Sequence, residues 1–267
     1  MASNLRGRAG QPRRDARRGG ARRGGDGDQV EGRRAVRELL RAGHRRVRRL
    51  SLASDVEPAA VIDEIVALAR EAGVPVRRVP SARIAEMART DTPQGVIALA
   101  DPLPEADFDA LLHDERAFLV ALDGVTDPRN TGSVIRTAEG AGASGIVLPR
   151  HRAARIGPTV TKAAAGAVEH VPIARVSGIP SALDRARRAG VWTVGLDERG
   201  RDSLFGLDVV QRPVMLVLGA EGAGLSPLAA RRCDLLARIP MHGAIESLNV
   251  SVAAALACYE VARARGG

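Results

Sequence analysis

The sequence predicts an α/β protein in which a mainly parallel sheet, covered on both faces, follows a small α/β unit and a basic tail. Three observations carry this. Short apolar runs at 118–122, 145–148, 171–175, 191–196, 214–218 and 236–240 alternate with segments of helical spacing. Residues 29–100 show the same alternation on a smaller scale. Residues 1–28 contain almost nothing apolar.

The chain divides accordingly. Residues 1–28 hold eight arginines against three aspartates, which is five of the nine net positive charges. Such a segment lacks the apolar surface to offset its ordering entropy and is expected to be disordered. Its charge suits phosphate, with salt-sensitive binding, although a plain solubilising extension explains it too. Lys162 is the sole lysine, so part of the arginine excess reflects base composition.

Over 29–100, GRRAVRELLRAG reads as a helix, RVRRLSLA as a strand and EPAAVIDEIVALAREAG as an amphipathic helix closed by Gly73. VPVRRV (strand), SARIAEMA (helix) and QGVIALA (buried strand) complete the unit. Arginines crowd its first helix and suggest a basic face, a pattern that a solvated helix surface also produces. Residues 101–116, with two prolines and several acids, read as a linker, and 117–267 as the second domain. Its last segment, SLNVSVAAALACYEVARA, reads as a long helix.

Within the second domain, Leu122 to Pro149 (LDGVTDPRNTGSVIRTAEGAGASGIVLP) joins a strand, a polar turn, a helix opening at Asn130 and carrying Arg136, and another strand. An amide and a guanidinium thus sit where a strand gives way to a helix, the usual ligand position in an open α/β sheet. GAGASG matches a dinucleotide fingerprint by letters, but a helix precedes it and a strand follows, the reverse of the required order. GAEGAG at 219–224 follows a strand without the fingerprint spacing, and no Walker-type loop is present. An NAD oxidoreductase is therefore disfavoured.

Three loops, DPRNTGSVIRTA (127–138), LGAEGAGLS (218–226) and IPMHGAIESLNVSVA (239–253), each follow an apolar strand and lead towards a helix. All three can therefore gather at the carboxyl edge of one sheet. With these strings the chain resembles the SpoU, or TrmH-like, RNA ribose 2′-O-methyltransferases of the SPOUT class across its catalytic half. The small unit resembles the ribosomal-protein-like RNA-binding domain of the large-subunit rRNA guanosine branch, through EGRRAVRELL and QGVIA.

The resemblance implies a deep trefoil knot, S-adenosylmethionine as cofactor, a homodimer and RNA as partner. It implies cofactor contacts at Leu218, Gly219, Ile239, Met241 and Leu248, and places Asn130, Arg136, Glu221, Ser247 and Asn249 as the catalytic polar set. No metal is required, because the donor leaves as a neutral thioether and alignment accounts for much of the rate. Deprotonating an arginine of pKa about 12.5–13.8 at neutral pH costs about 8 kcal/mol, so Arg136 suits a phosphate-holding, alkoxide-stabilising cation better than a base. The expected reaction is 2′-O-methylation of a guanosine in 23S rRNA. Other rRNA nucleotides, including the thiostrepton-resistance type, tRNA, or a non-catalytic RNA-binding protein are the alternatives.

Plainer readings exist residue by residue. Asn130, Ser247 and Asn249 could be helix caps, and Arg136 with Glu221 a structural ion pair. His242, His170 and Lys162 read as loop, strand-flanking and helix-surface residues. Cys233 and Cys258 lack neighbours at metal-ligand spacing and read as small hydrophobes. A hydrophobic fraction of 45% without a bilayer-length apolar run reads as soluble and globular, with no membrane partner expected, and the N-terminus lacks the apolar core of a secretion signal. The expected compartment is the cytoplasm, and DNA is not an expected partner.

Overall fold

The computed structural model describes residues 27–245 and 247–266. The basic tail expected over 1–28 lies outside the described residues except for Gly27 and Asp28. Asp28 belongs to the first strand: its carboxylate accepts from Leu103 N at 3.0 Å and Arg45 Nη1 at 3.2 Å. Asp28, which composition assigns to the tail, is thus part of the small unit's sheet, where one carboxylate finds two donors.

The small unit runs β1 (Asp28–Glu31), α1 (Arg33–Ala42), β2 (Val47–Ala53), α2 (Ala60–Glu71), β3 (Val76–Val79), α3 (Ser81–Met87) and β4 (Val96–Ala100). Its sheet has the order β1-β4-β2-β3 and is mixed: β4 lies antiparallel to both neighbours, and β2 with β3 is parallel. Val36, Leu39, Leu50, Leu52 and Ile65 fill the space between α1, α2 and the sheet. Gly43, in the left-handed region at φ 63°, closes α1 by donating its N–H to Leu39 O.

The segment 101–116 is more than a connection. It contains α4 (Phe108–Leu112), whose Phe108 and Leu112 are buried against the second core, and Ala106 N donates to Ile173 O at 2.9 Å. Its prolines and acids mark the turns at its ends and conceal two apolar anchors at helical spacing.

The second unit continues with β5 (Phe118–Asp123), α5 (Pro128–Gly140), β6 (Gly145–Pro149), α6 (Pro158–Ala163), β7 (Ile173–Val176), α7 (Ile179–Arg188) and β8 (Trp192–Leu196). Then come β9 (Asp202–Ser203), β10 (Val214–Gly219), α8 (Pro227–Arg232), β11 (Leu235–Arg238) and α9 (Val250–Ala264). The sheet order is β7-β6-β5-β10-β8-β11-β9, and every pair is parallel. Two cores flank it, as expected for strands buried on both faces. One joins β5, β6 and β10 to α5, α6 and α9, and the other joins the opposite faces to α4, α7 and α8. Expected strands at 171–175 and 236–240 shift by one or two residues, and β9 is too short to leave a sequence signature.

The small unit docks on the segment 162–170. Arg45 makes a bidentate ion pair with Glu169, Nε to Oε2 at 2.9 Å and Nη2 to Oε1 at 2.5 Å, and both side chains are almost fully buried. Gly166, at φ +93°, lies so close to α1 that an added Cβ would stand 2.5 Å from Glu38 Cβ. His170, which the sequence leaves without a role, meets Glu38 at 3.0 Å across the same junction. Among the described residues, no helix is long and apolar enough to cross a membrane.

Candidate active site

The parallel sheet delivers three loops to one edge, and local capping chemistry aims each. After β5, Asp127 caps α5 by accepting from Asn130 N at 2.8 Å, and Pro128 takes the first helical position, where no N–H is needed. The helix therefore opens before Asn130, and the Asn130 amide is not the cap. It is left available for other contacts.

After β10, Ala220 and Gly224 exchange backbone hydrogen bonds at 3.0 and 2.8 Å, folding a tight hairpin with Glu221 near its tip. Gly224 adopts φ +65°, and the hairpin lies so near Gly219 that an added Cβ would sit 2.1 Å from Gly224 C. Only glycine fits there. The hairpin is tied to the first loop, since Ser226 N donates to Asp123 Oδ2 at 2.8 Å.

The third loop leads from β11 into α9. Asn249 caps this helix, its Oδ1 accepting from Ser251 N at 2.9 Å and Ser251 Oγ at 2.5 Å. Its Nδ2 also donates to Asn130 Oδ1 at 3.2 Å and to Glu221 Oε1. Capping and assembly are thus combined in one residue, while Ser247 makes no cap.

Beside this junction lies a cavity of about 350 Å³. Leu218, Gly219, Ile239, Met241 and Leu248 all line it, as do Glu221 and Ser247. Sequence reasoning missed Leu196, at the end of β8, and Asp197 and Glu198 just after it, which form another wall. The available signal was positional: LDERG also follows a buried parallel strand. The Asp197 carboxylate accepts from Arg199 N at 2.9 Å and from its Nε and Nη2 at 2.8 Å, and these bonds hold its pKa below the usual carboxylate range.

Arg136 is not brought to this junction. Six positions after Asn130, it is turned about 240° round the helix and displaced about 9 Å along it. It lines a separate cleft with Arg34 and Lys162, and forms no ion pair with Glu221. Lys162 likewise departs from a helix-surface reading, since its Nζ reaches Thr90 Oγ1 at 3.5 Å and the Thr92 carbonyl of the small unit. Burial raises both cysteine thiols to a pKa of about 12, which fits packing rather than nucleophilic roles.

The cavity suits a small cationic ligand with an apolar part. Leu196, Leu218, Ile239 and Val250 supply apolar walls, and Glu198 and Glu221 supply negative charge. Its size is within the range of cofactor sites.

The chain is similar to known methyl-transfer proteins. Residues 117–259 match the SpoU rRNA Methylase family, and residues 29–106 match the family described as RNA 2′-O ribose methyltransferase substrate binding. YacO of Bacillus subtilis, named to the TrmH family of tRNA/rRNA methyltransferases, is 37% identical over 243 residues, covering 89% of this chain and 96% of that protein. Among solved structures, the SpoU methyltransferase AviRb from Streptomyces viridochromogenes in complex with AdoMet superposes with a TM-score of 0.74 at 30% identity. That match covers 89% of this chain and 90% of AviRb. An AdoMet-bound rRNA methyltransferase from Sinorhizobium meliloti gives 0.73 at 30% identity, covering 89% and 87%.

Proposed function

This chain belongs to the SpoU rRNA methylase family, and from that premise we propose that it transfers a methyl group from S-adenosylmethionine to a ribose 2′-hydroxyl of RNA, with a guanosine of 23S rRNA as target. The observation that carries the site assignment is the Asn249 amide, which ties Asn130 and Glu221 together at the lip of the cavity.

Bound S-adenosylmethionine supplies a methyl group on a sulfonium whose departure leaves a neutral thioether. The chain's part is binding and orientation. Gly219 lets the 220–224 hairpin close over one wall, and Ile239, Met241 and Leu248 form the apolar face that keeps water from the reacting centre. Glu221 favours a cation in the cavity and is itself fixed by Asn249. Asn130, on the first turn of α5, offers an amide to the incoming ribose, and alignment of this kind accounts for a large share of a displacement barrier. Arg136 holds an RNA phosphate as a permanent cation, which its lack of any carboxylate partner among the described residues supports.

Residues 29–100 serve as the RNA-binding domain and 117–267 as the methyltransferase domain, with 101–116 joining them. The protein acts as a homodimer. Val252, Leu256 and Tyr259, exposed at 47%, 37% and 56% along one stripe of α9, supply an apolar face for a second copy. Mapping ribose methylation across total RNA with and without the gene tests the target. Loss of a guanosine mark in 23S rRNA is expected, and loss of a tRNA mark alone overturns the substrate assignment.

A further inference from the structure

Away from the cofactor cavity, a cleft of about 530 Å³ opens where the two units meet. Arg33, Arg34 and Arg37 of α1 line one side, and Arg136 of α5 with Lys162 of α6 line the other. Their states differ. Arg37 is neutralised by Glu38 and Glu64, Arg33 Nε donates to Gln94 O at 3.3 Å, and Lys162 is engaged by Thr90 and Thr92. The Arg34 and Arg136 side chains have neither a hydrogen-bond nor an ion-pair partner among the described residues.

Glu31 also lines the cleft. Its carboxylate is buried and accepts from Arg89 N at 2.7 Å, Thr90 N at 3.0 Å, Thr90 Oγ1 at 2.5 Å and Gln29 Nε2 at 2.6 Å. Those donors occupy its lone pairs, and among the described residues no guanidinium of the cleft is paired with it. Docking of the two units therefore gathers positive charge from both and leaves two guanidinium forks free. The junction is held by the buried Arg45–Glu169 pair despite the repulsion this creates. A bound anion offsets such repulsion, and the planar guanidinium fork matches a phosphate.

We infer that this cleft is a two-domain clamp for a phosphodiester of the RNA strand, with Arg34 and Arg136 on the same phosphate. The inference rests on the RNA methyltransferase reading and assigns a binding role to Arg34, with Arg45 and Glu169 as positioning residues that keep the two walls together.

The test uses the full chain, a labelled mixed-sequence RNA hairpin and a series of salt concentrations. Arg34→Gln is expected to weaken binding about tenfold and to lower the slope of log Kd against log salt by about 0.7–0.9, the signature of one lost phosphate contact. Arg34→Gln with Arg136→Gln is expected to lose less than the sum of the two single losses, because both act on one group. Arg83→Gln, on exposed α3 and paired with Glu86, controls for net charge and should leave the slope unchanged. An unchanged slope in Arg34→Gln, an equal effect of Arg83→Gln, or additive losses overturns the clamp. Unaltered S-adenosylmethionine affinity in Arg34→Gln checks that the fold is intact. Methyl incorporation by the unmodified protein is scored separately: its absence counts against the enzymatic reading, while the slopes still decide the clamp.

Discussion

Asn249 Nδ2 donates to Asn130 Oδ1 at 3.2 Å, while Asn249 Oδ1 accepts from Ser251 N at 2.9 Å. One amide therefore starts the last helix with its oxygen and gathers the site with its nitrogen. The two duties are separable by substitution.

Asn249→Ser keeps a capping oxygen and loses the bridging N–H. Thermal unfolding should register a change within about 0.5 kcal/mol, because serine caps as well as asparagine. Single-turnover methyl transfer should fall about a hundredfold through misalignment. Equal losses of stability and rate would mean that Asn249 acts through the helix alone.

Gly219→Ala forces a methyl group against the hairpin that closes the cavity. Overpacking of this kind costs about 1–3 kcal/mol. Calorimetry should show S-adenosylmethionine affinity reduced by about tenfold or more, since the hairpin carries Glu221 away with it. Gly222→Ala, where an added Cβ meets nothing within 4 Å, bears only the strain of φ +74°. Its affinity should stay close to that of the unmodified protein, and a similar drop in both variants would discount the steric argument.

Glu169→Gln leaves the buried Arg45 guanidinium with Asp28, at 3.2 Å, as its one acidic partner among the described residues. Urea unfolding should reveal a loss of about 3 kcal/mol, the scale for breaking a buried pair from one side. Glu38→Gln, at the half-buried rim of the same junction, should cost less, about 1 kcal/mol. The reverse ranking would place the docking energy at the rim.

Acid stability provides a fourth check. The Arg263 guanidinium, at 2.8 Å, and the Gly206 N–H hold the Glu260 carboxyl below its ordinary value of 4.5. A carboxylate with a depressed pKa contributes stability in full above its unfolded value and loses it as pH falls through the lower folded value. The Tm difference between the unmodified protein and Glu260→Gln should therefore be constant at neutral pH and narrow below about pH 4.5. A difference that persists into strong acid would assign the effect to packing.

The parallel sheet and its three site loops were legible because buried strands are continuous apolar runs and their loops hold glycine, asparagine and proline at constrained positions. Leu218, Gly219, Ile239, Met241 and Leu248, singled out by the family resemblance rather than by composition, line one cavity where those loops meet. What stayed hidden depends on contacts between distant segments. Asp28 reads as tail until Arg45 and Leu103 meet it, and Phe108 reads as linker until it is seen buried in the second core. The facing of Arg136 was computable from helix geometry, yet its cleft required the small unit, whose docking on Gly166 has no local signature.

The wholly parallel sheet also sets the order in which the protein is assembled. The Asn249–Asn130 bond spans 119 positions and the Ser226–Asp123 bond spans 103, so neither forms until large loops have closed. Contacts of such separation are acquired late and slowly. The small unit, whose longest strand pairing joins Asp28 to Ala100 across 72 positions, closes shorter loops and gains its structure without waiting for them. Refolding should accordingly proceed in two stages, and the capacity to bind the methyl donor should appear last, as a kinetic marker of complete topology.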